Sequence, residues 1–172
     1  SMVQMDIIKR KKHSVIIRVL YSLIFFSILY ITVVRPTRVY VNRNYIAPLF
    51  QSLEKNQTSY LTITPRRVNI HSEGYDSPIG FGMPFGGYFW LPFSLFISVR
   101  QKWPAVGLTL YHIFLGIIPP FLTFLFIKHF TWAGSLLKIN EILFQGIFLI
   151  SLFWGIKSIL VVNKKEMKKS KL

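Results

Sequence analysis

The chain has 172 residues, of which 21 are Lys or Arg and 6 are Asp or Glu, so its net charge is +15; it contains no cysteine. The absence of cysteine excludes a disulfide scaffold, a cysteine-ligated metal site and a cysteine nucleophile. Hydrophobic residues make up 52% of the chain and aromatic residues 16%, a composition that argues against disorder. Long apolar blocks separated by basic segments instead predict an integral membrane protein.

The first apolar block covers residues 14–34 and follows a basic tail at residues 1–13. About 20 apolar residues are enough to cross a hydrocarbon layer of about 30 Å, so this block is predicted to be transmembrane helix 1. The block is longer than the apolar region of an ordinary signal peptide, and no small-residue cleavage pattern follows it. We therefore interpret it as an uncleaved signal anchor.

Residues 35–83 are predicted to form a loop region outside the membrane. A segment of about 50 residues is too small for an independent core, so we expect it to rest on the membrane or on a partner. Within it, residues 45–56 have apolar side chains at helical spacing, which predicts a short amphipathic helix. These side chains are Ile46, Leu49, Phe50 and Leu53.

A β-hairpin is predicted in the second half of this loop region. Residues 60–64 and 67–72 alternate between apolar and polar side chains, which is the pattern of strands with one buried face. Pro65 and Arg66 lie between the two segments, where the turn is expected. Residues 38–43 also alternate, and they are a candidate for a third short strand.

Three further apolar blocks complete the predicted fold. Residues 84–99 are predicted to be transmembrane helix 2, which the chain enters through a glycine- and aromatic-rich segment at residues 78–92. Transmembrane helices 3 and 4 are predicted at residues 103–127 and 139–162, and a second basic tail follows at residues 163–172.

The predicted fold class is therefore an all-α integral membrane protein with four transmembrane helices and a small extracytoplasmic α+β loop region. Four spans place both termini on one side, and the basic tails place that side in the cytoplasm. The expected location is a bacterial inner membrane. The alternative is that residues 78–99 dip into the membrane and return to the outside, which leaves three spans.

Arginine dominates the basic residues of the outer loop, whereas lysine dominates the cytoplasmic segments. Arginine is the better residue for bidentate contact with carboxylate or phosphate, so we expect this loop to bind a partner protein or lipid phosphates. The alternative is that Arg35 and Arg38 anchor the end of helix 1, and that Arg66 and Arg67 lie in a solvent-exposed turn. The candidate contact residues are Arg35, Arg38, Arg43, Arg66 and Arg67, together with Phe81, Phe85, Tyr88 and Trp90 of the glycine- and aromatic-rich segment.

A second group of candidate residues lies in the sequence HSEGYDS. His71, Glu73 and Asp76 supply a histidine and two carboxylates, which are the groups used in general acid–base catalysis. Their spacing matches no metal-binding or catalytic motif, and Gly, Ser and Asp are also common in turns. These three residues are the catalytic candidates of the chain, and neither a metal nor a cofactor is expected.

Two polar side chains fall inside predicted transmembrane helices, His112 in helix 3 and Gln145 in helix 4. An ionisable group inside the membrane is a functional hypothesis by default. A neutral histidine can equally form a hydrogen bond between helices. No second ionisable group is predicted at a similar depth, so packing is favoured over a proton relay.

Taken together, these features predict a small accessory subunit of a larger inner-membrane complex, such as a membrane enzyme, a sorting or secretion machine, or a transporter. Two alternatives stay open. One is a membrane-bound hydrolase or transferase that acts on a lipid-linked or peptide substrate, and the other is an oligomeric small transporter. The expected partners are a larger integral membrane protein and anionic lipids at the cytoplasmic face, without nucleic acid; a homo-oligomer is also compatible with the sequence.

Overall fold

The computed structural model of the chain describes residues 2–53 and 60–169, with side chains described for residues 15–53 and 60–165. It is mostly helical, as predicted, and it also contains a small three-stranded sheet. The α-helices are α1 (Met2–Leu29), α2 (Arg35–Val41), α3 (Ala47–Leu53), α4 (Gly87–Ser98), α5 (Lys102–Ile127) and α6 (Thr131–Lys169). The strands are β1 (Tyr60–Ile63), β2 (Arg67–His71) and β3 (Ile79–Gly82).

Three helices in the described part of the chain are long and apolar enough to cross a membrane. They are Val15–Leu53, Lys102–Ile127 and Thr131–Lys165, and in their most apolar windows only 6%, 33% and 11% of the residues are buried inside the protein. Apolar side chains that the protein itself does not cover are typical of a surface that faces lipid or a partner protein. The fold is therefore compatible with a membrane protein.

The first of these helices is longer than predicted, because α1, α2 and α3 join through two π-helical turns at Tyr30–Val34 and Asn42–Ile46. We call the whole run the N-terminal helix. The prediction of a third strand at residues 38–43 is wrong, since these residues belong to α2 and the second π-helical turn. The predicted amphipathic helix at 45–56 is found as the end of the same helix up to Leu53, and residues 54–56 lie outside the described part.

The two π-helical turns keep one face of the N-terminal helix directed at the sheet. The residues that contact the sheet region recur at every fourth position, namely Arg38, Asn42, Ile46 and Phe50. In a regular α-helix, positions four apart drift around the axis by about 40° per step. A π-helical turn takes up additional residues and so offsets this drift. Tertiary contacts of this stripe override the β-propensity of the valine- and tyrosine-rich segment.

The predicted hairpin is confirmed, and a third strand joins it from the segment that precedes α4. The strands pair in the order β1-β2-β3, both pairs antiparallel. Ile63 pairs with Val68 across the hairpin turn. One face of the sheet packs on the ends of α3 and α5, and the core there consists of Phe50, Val68, Ile70, Phe81 and Ile127. We call this end of the molecule the sheet end.

Helix α4 begins three residues later than the predicted helix 84–99 and has 12 residues. At 1.5 Å per residue it is about 18 Å long, which is shorter than the roughly 30 Å of a hydrocarbon layer. It packs against the N-terminal helix, α5 and α6. Ser22 donates a hydrogen bond to the carbonyl of Ser94 over 2.8 Å. Gly155 of α6 leaves room for Leu95, because a Cβ at that position would be 3.0 Å from the leucine Cβ.

Candidate functional site

A cavity of about 530 Å³ opens at the sheet end, between the sheet, the N-terminal helix, α5 and α6. We call it the sheet-end cavity. Its charged and polar lining residues are Arg38, Arg66, Arg67, His112, Asn140, Glu141 and Gln145. Its apolar wall includes Leu115, Pro119, Phe144, Phe148 and Leu149. The cavity therefore has a basic side and an apolar side.

Residues that the sequence assigned to two separate sites meet in this cavity. Three of the five arginines of the predicted outer loop line it, and so do His112 and Gln145, the polar residues of predicted transmembrane helices 3 and 4. The arginines come from the N-terminal helix and from the hairpin, whereas the two polar residues come from α5 and α6. The remaining two arginines, Arg35 and Arg43, line a different surface on the N-terminal helix.

Arg38 is fixed by two hydrogen bonds. Its Nη2 donates to the carbonyl of Met83 over 2.6 Å, and its Nη1 donates to the hydroxyl of Tyr30 over 3.1 Å. The second bond reaches back by two helical turns, because side chains of a helix lean toward its N-terminal end. Gly86 provides the space, since a Cβ there would lie 3.1 Å from Arg38 Nη2.

Arg67 links the sheet to α6. Its Nε donates to Asn69 Oδ1 over 2.7 Å, and its Nη2 donates to Glu141 Oε1 over 2.9 Å. Both members of this ion pair are partly open to solvent, with side-chain exposures of 39% and 44%. An ion pair of this exposure positions the two elements but contributes little to stability.

A double-mutant cycle measures that contribution. With Arg67→Gln, Glu141→Gln and the double variant, we expect a coupling energy of about 0.2–1 kcal/mol in thermal unfolding, because water screens the pair. A coupling of several kcal/mol would mean that the two groups are desolvated, and it would contradict the exposed geometry.

Arg66 occupies the hairpin turn, which the backbone bond from Thr64 N to the Arg67 carbonyl closes over 2.9 Å. In the described ranges it has no carboxylate partner. The cavity is lined by three arginines but only one carboxylate, that of Glu141. Since guanidinium groups remain charged at all physiological pH values, the lining is net positive and favours an anion.

His112 supports the turn in front of α4. Its Nδ1 accepts a hydrogen bond from the backbone N–H of Phe85 over 3.1 Å, so Nδ1 carries the lone pair and the neutral ring is protonated on Nε2. Phe85 has a left-handed backbone with φ of 58°, which is costly for a residue other than glycine. The carbonyl of the same residue accepts a bond from Trp90 Nε1 over 3.0 Å.

The four predicted aromatic contact residues have different surroundings. Phe81 is 5% exposed and belongs to the core under the sheet. Trp90 stacks on Phe26 of α1 with ring centroids 5.5 Å apart, and Phe85 packs near His112. Tyr88 is 57% exposed and lies edge-on to Phe148. Most of this segment is therefore used in internal packing, and Tyr88 is the most accessible of the four.

The catalytic candidates lie away from the cavity. His71 ends β2 and stacks on Tyr60 with ring centroids 4.4 Å apart. Glu73 and Asp76 lie in the turn that follows and are exposed. None of the three lines the sheet-end cavity. Within the described residues, no group of three or more His, Asp or Glu could hold a metal ion.

Asn140 and Glu141 are cavity residues that were not among the predicted site residues. Glu141 could have been linked to the predicted residue Gln145 from the sequence, because the two are four residues apart and therefore share one face of a helix. Predicted helix 4 begins at residue 139, so Glu141 falls near its end, and its charge was interpreted as a contact with the membrane interface. In the structure α6 begins at Thr131, which places Glu141 well inside the helix and opposite Arg67.

Comparison with known proteins returned no match: no family model fits the chain, and no curated protein or solved structure is significantly similar to it.

Proposed function

We propose that the protein is a small accessory subunit of a membrane complex and that it binds the anionic head group of an amphiphilic ligand in the sheet-end cavity. The observation that carries this proposal is the pairing of a basic side and an apolar side in one cavity. The arginines suit a phosphate or carboxylate, which they contact through bidentate hydrogen bonds. The apolar wall of α5 and α6 suits the chain attached to that head group.

The dimensions and chemistry of the cavity support binding of this kind. Its volume of about 530 Å³ lies within the range of roughly 300–1,000 Å³ that is typical of ligand sites. Arg38 is already held by Met83 and Tyr30, so little side-chain entropy is lost when an anion binds. Arg66, in the turn, is the arginine that is most available to a ligand.

In the proposed membrane arrangement, both termini are cytoplasmic and the sheet lies outside the bacterial inner membrane. The N-terminal helix, α5 and α6 span the membrane, and α4 with the turn before it completes the fourth crossing. The cavity then lies at the depth where lipid head groups meet the outer leaflet. An amphiphile reaches such a site by moving sideways in the membrane.

The test compares ligand binding by two arginine variants. The purified protein in mild detergent is titrated with dioctanoyl phosphatidic acid and followed by native mass spectrometry. We expect Arg66→Gln to raise the Kd about 10-fold or more, because a charge-assisted contact contributes roughly 1.5–3 kcal/mol. Parallel titrations use two other amphiphiles. Octanoate tests whether a carboxylate can take the place of the phosphate, and dioctanoyl phosphatidylcholine tests whether a zwitterionic head group can.

Arg43→Gln is the matched control, because Arg43 is also an outer arginine but lies outside the cavity. It should leave the Kd unchanged. Equal weakening by Arg43→Gln and Arg66→Gln would indicate general attraction to a basic surface, and it would contradict a specific site. Absence of saturable binding by the unmodified protein would also overturn the proposal.

A further inference from the structure

A second surface lies on the N-terminal helix, outside the sheet-end cavity. It is a shallow groove formed by two neighbouring stripes of one helix, with residues 31, 35, 39 and 43 in one stripe and 36, 40 and 44 in the other. We call it the Tyr40 groove. Tyr40 is 59% exposed, and Arg35 and Arg43 are exposed as well. The groove therefore has an aromatic centre and a guanidinium group toward each end.

The helix that carries this groove is held firmly by the rest of the protein. Asn42 donates to the carbonyl of Thr64 over 2.7 Å, and Arg38 donates to the carbonyl of Met83. Phe50 is buried in the core under the sheet. Because these contacts fix the neighbouring stripe, the groove is presented in a constant orientation, which lowers the entropy cost of docking.

The charge of the groove is not balanced by the described part of the chain. Neither Arg35 nor Arg43 has a carboxylate partner there, and the full chain contains only six Asp and Glu residues. The two arginines are eight residues apart, which corresponds to about 12 Å along a helix. An occupant of this groove therefore needs negative charge at two points separated by about that distance.

This requirement distinguishes between three occupants. A second copy that presented the same groove would bring two more arginines and repel the first copy. Lipid phosphates lie at one depth, so they would meet Arg35 at the end of the apolar block, while Arg43 lies about 12 Å farther along the helix. An acidic protein segment can supply carboxylates at both positions and cover Tyr40 between them.

We infer that the Tyr40 groove docks an acidic segment of a larger membrane protein, with carboxylates that pair with Arg35 and Arg43 and an apolar contact over Tyr40. This inference rests on the proposed role as an accessory subunit and identifies the surface through which that role is exerted. It is independent of the ligand in the sheet-end cavity.

The test uses a photo-crosslinking amino acid at Tyr40 in cells of the native host, with the cross-linked peptide identified by mass spectrometry. The expected product is a peptide from one integral membrane protein that contains at least two Asp or Glu residues. The double variant Arg35→Glu/Arg43→Glu should lower the yield about tenfold or more, because two favourable charge pairs become repulsive. Reversing the partner's acidic residues to Arg should restore the yield.

Two controls separate this surface from the cavity. The crosslinker at Tyr21, which is 71% exposed in the apolar part of α1, should not give the same peptide. Arg66→Gln should leave the cross-link intact, and Arg35→Glu/Arg43→Glu should leave binding of dioctanoyl phosphatidic acid intact. Cross-linking only to lipid, to a second copy or to a segment without acidic residues would overturn the inference, even where ligand binding supports the proposed function.

Discussion

Replacing Gly80 with alanine is expected to disrupt the sheet end of the protein. Gly80 lies in β3 opposite Asn69 of β2. A Cβ at this position would be 1.9 Å from the carbonyl oxygen of Val68 and 2.9 Å from Asn69 Cα. Both are backbone atoms of the central strand and cannot rotate away, so β3 must separate from β2.

The expected cost exceeds about 4 kcal/mol, because it combines a steric clash with the loss of strand hydrogen bonds. In thermal unfolding of the detergent-solubilised protein, that cost corresponds to a fall in melting temperature of about 10 °C or more. Binding in the sheet-end cavity should be lost as well, since Gly80 is part of its lining.

Gly82→Ala provides the matched control in the same strand. A Cβ at Gly82 would come no closer than 3.9 Å to the Arg66 carbonyl, which is an ordinary contact. This variant should melt within a few degrees of the unmodified protein, since Gly and Ala differ by only about 1 kcal/mol in backbone entropy. Similar melting temperatures for Gly80→Ala and Gly82→Ala would show that β3 does not pair as described.

The contact at Gly80 also explains why the hairpin was predictable and the third strand was not. β1 and β2 show the alternation of a half-buried strand, and a turn separates them. β3 has the sequence Ile-Gly-Phe-Gly, in which both glycines weaken a strand assignment. The segment pairs with β2 all the same, and it needs glycine opposite Asn69 because the backbone of β2 approaches too closely for a side chain. That reason lies in a tertiary contact and is absent from the local pattern.

The site was predictable in its residue types but not in its assembly. The excess of arginine in the predicted outer loop and the polar residues in the predicted transmembrane helices were visible as separate patterns. Their convergence depends on two features that spacing does not reveal. Arg38 lies in the N-terminal helix, which continues to Leu53, and it bonds to the Met83 carbonyl in the segment after β3. The turn in that segment brings Phe85 beside His112.

His112→Leu is the second substitution for which we expect a large effect. Leucine has a similar volume but cannot accept the hydrogen bond from the Phe85 N–H. A buried donor without a partner costs about 1–3 kcal/mol. The left-handed backbone of Phe85 is also unfavourable without support. We therefore expect the turn to relax and the melting temperature to fall by several degrees, at about 2–4 °C per kcal/mol.

The relaxation should be transmitted to the cavity through a short path. The carbonyl of Met83, two residues before Phe85, holds Arg38, and the carbonyl of Phe85 holds the Trp90 indole. His112→Leu should therefore raise the Kd for dioctanoyl phosphatidic acid, although this substitution leaves all three arginines of the cavity in place. The substitution should also shift the indole N–H resonance of Trp90 in ¹⁵N NMR spectra. That resonance is identified by its absence from the spectrum of the Trp90→Phe variant.

His112→Asn separates the hydrogen bond from the bulk of the ring. The asparagine Oδ1 can occupy a position near that of Nδ1 and accept the same bond, so this variant should restore most of the Trp90 shift and of the ligand affinity. Equal loss in both variants would assign the effect to packing among Phe85, Phe89 and Phe144, which surround the ring. If His112→Leu left the melting temperature, the indole resonance and the Kd all unchanged, then the bond to Phe85 would not hold the turn.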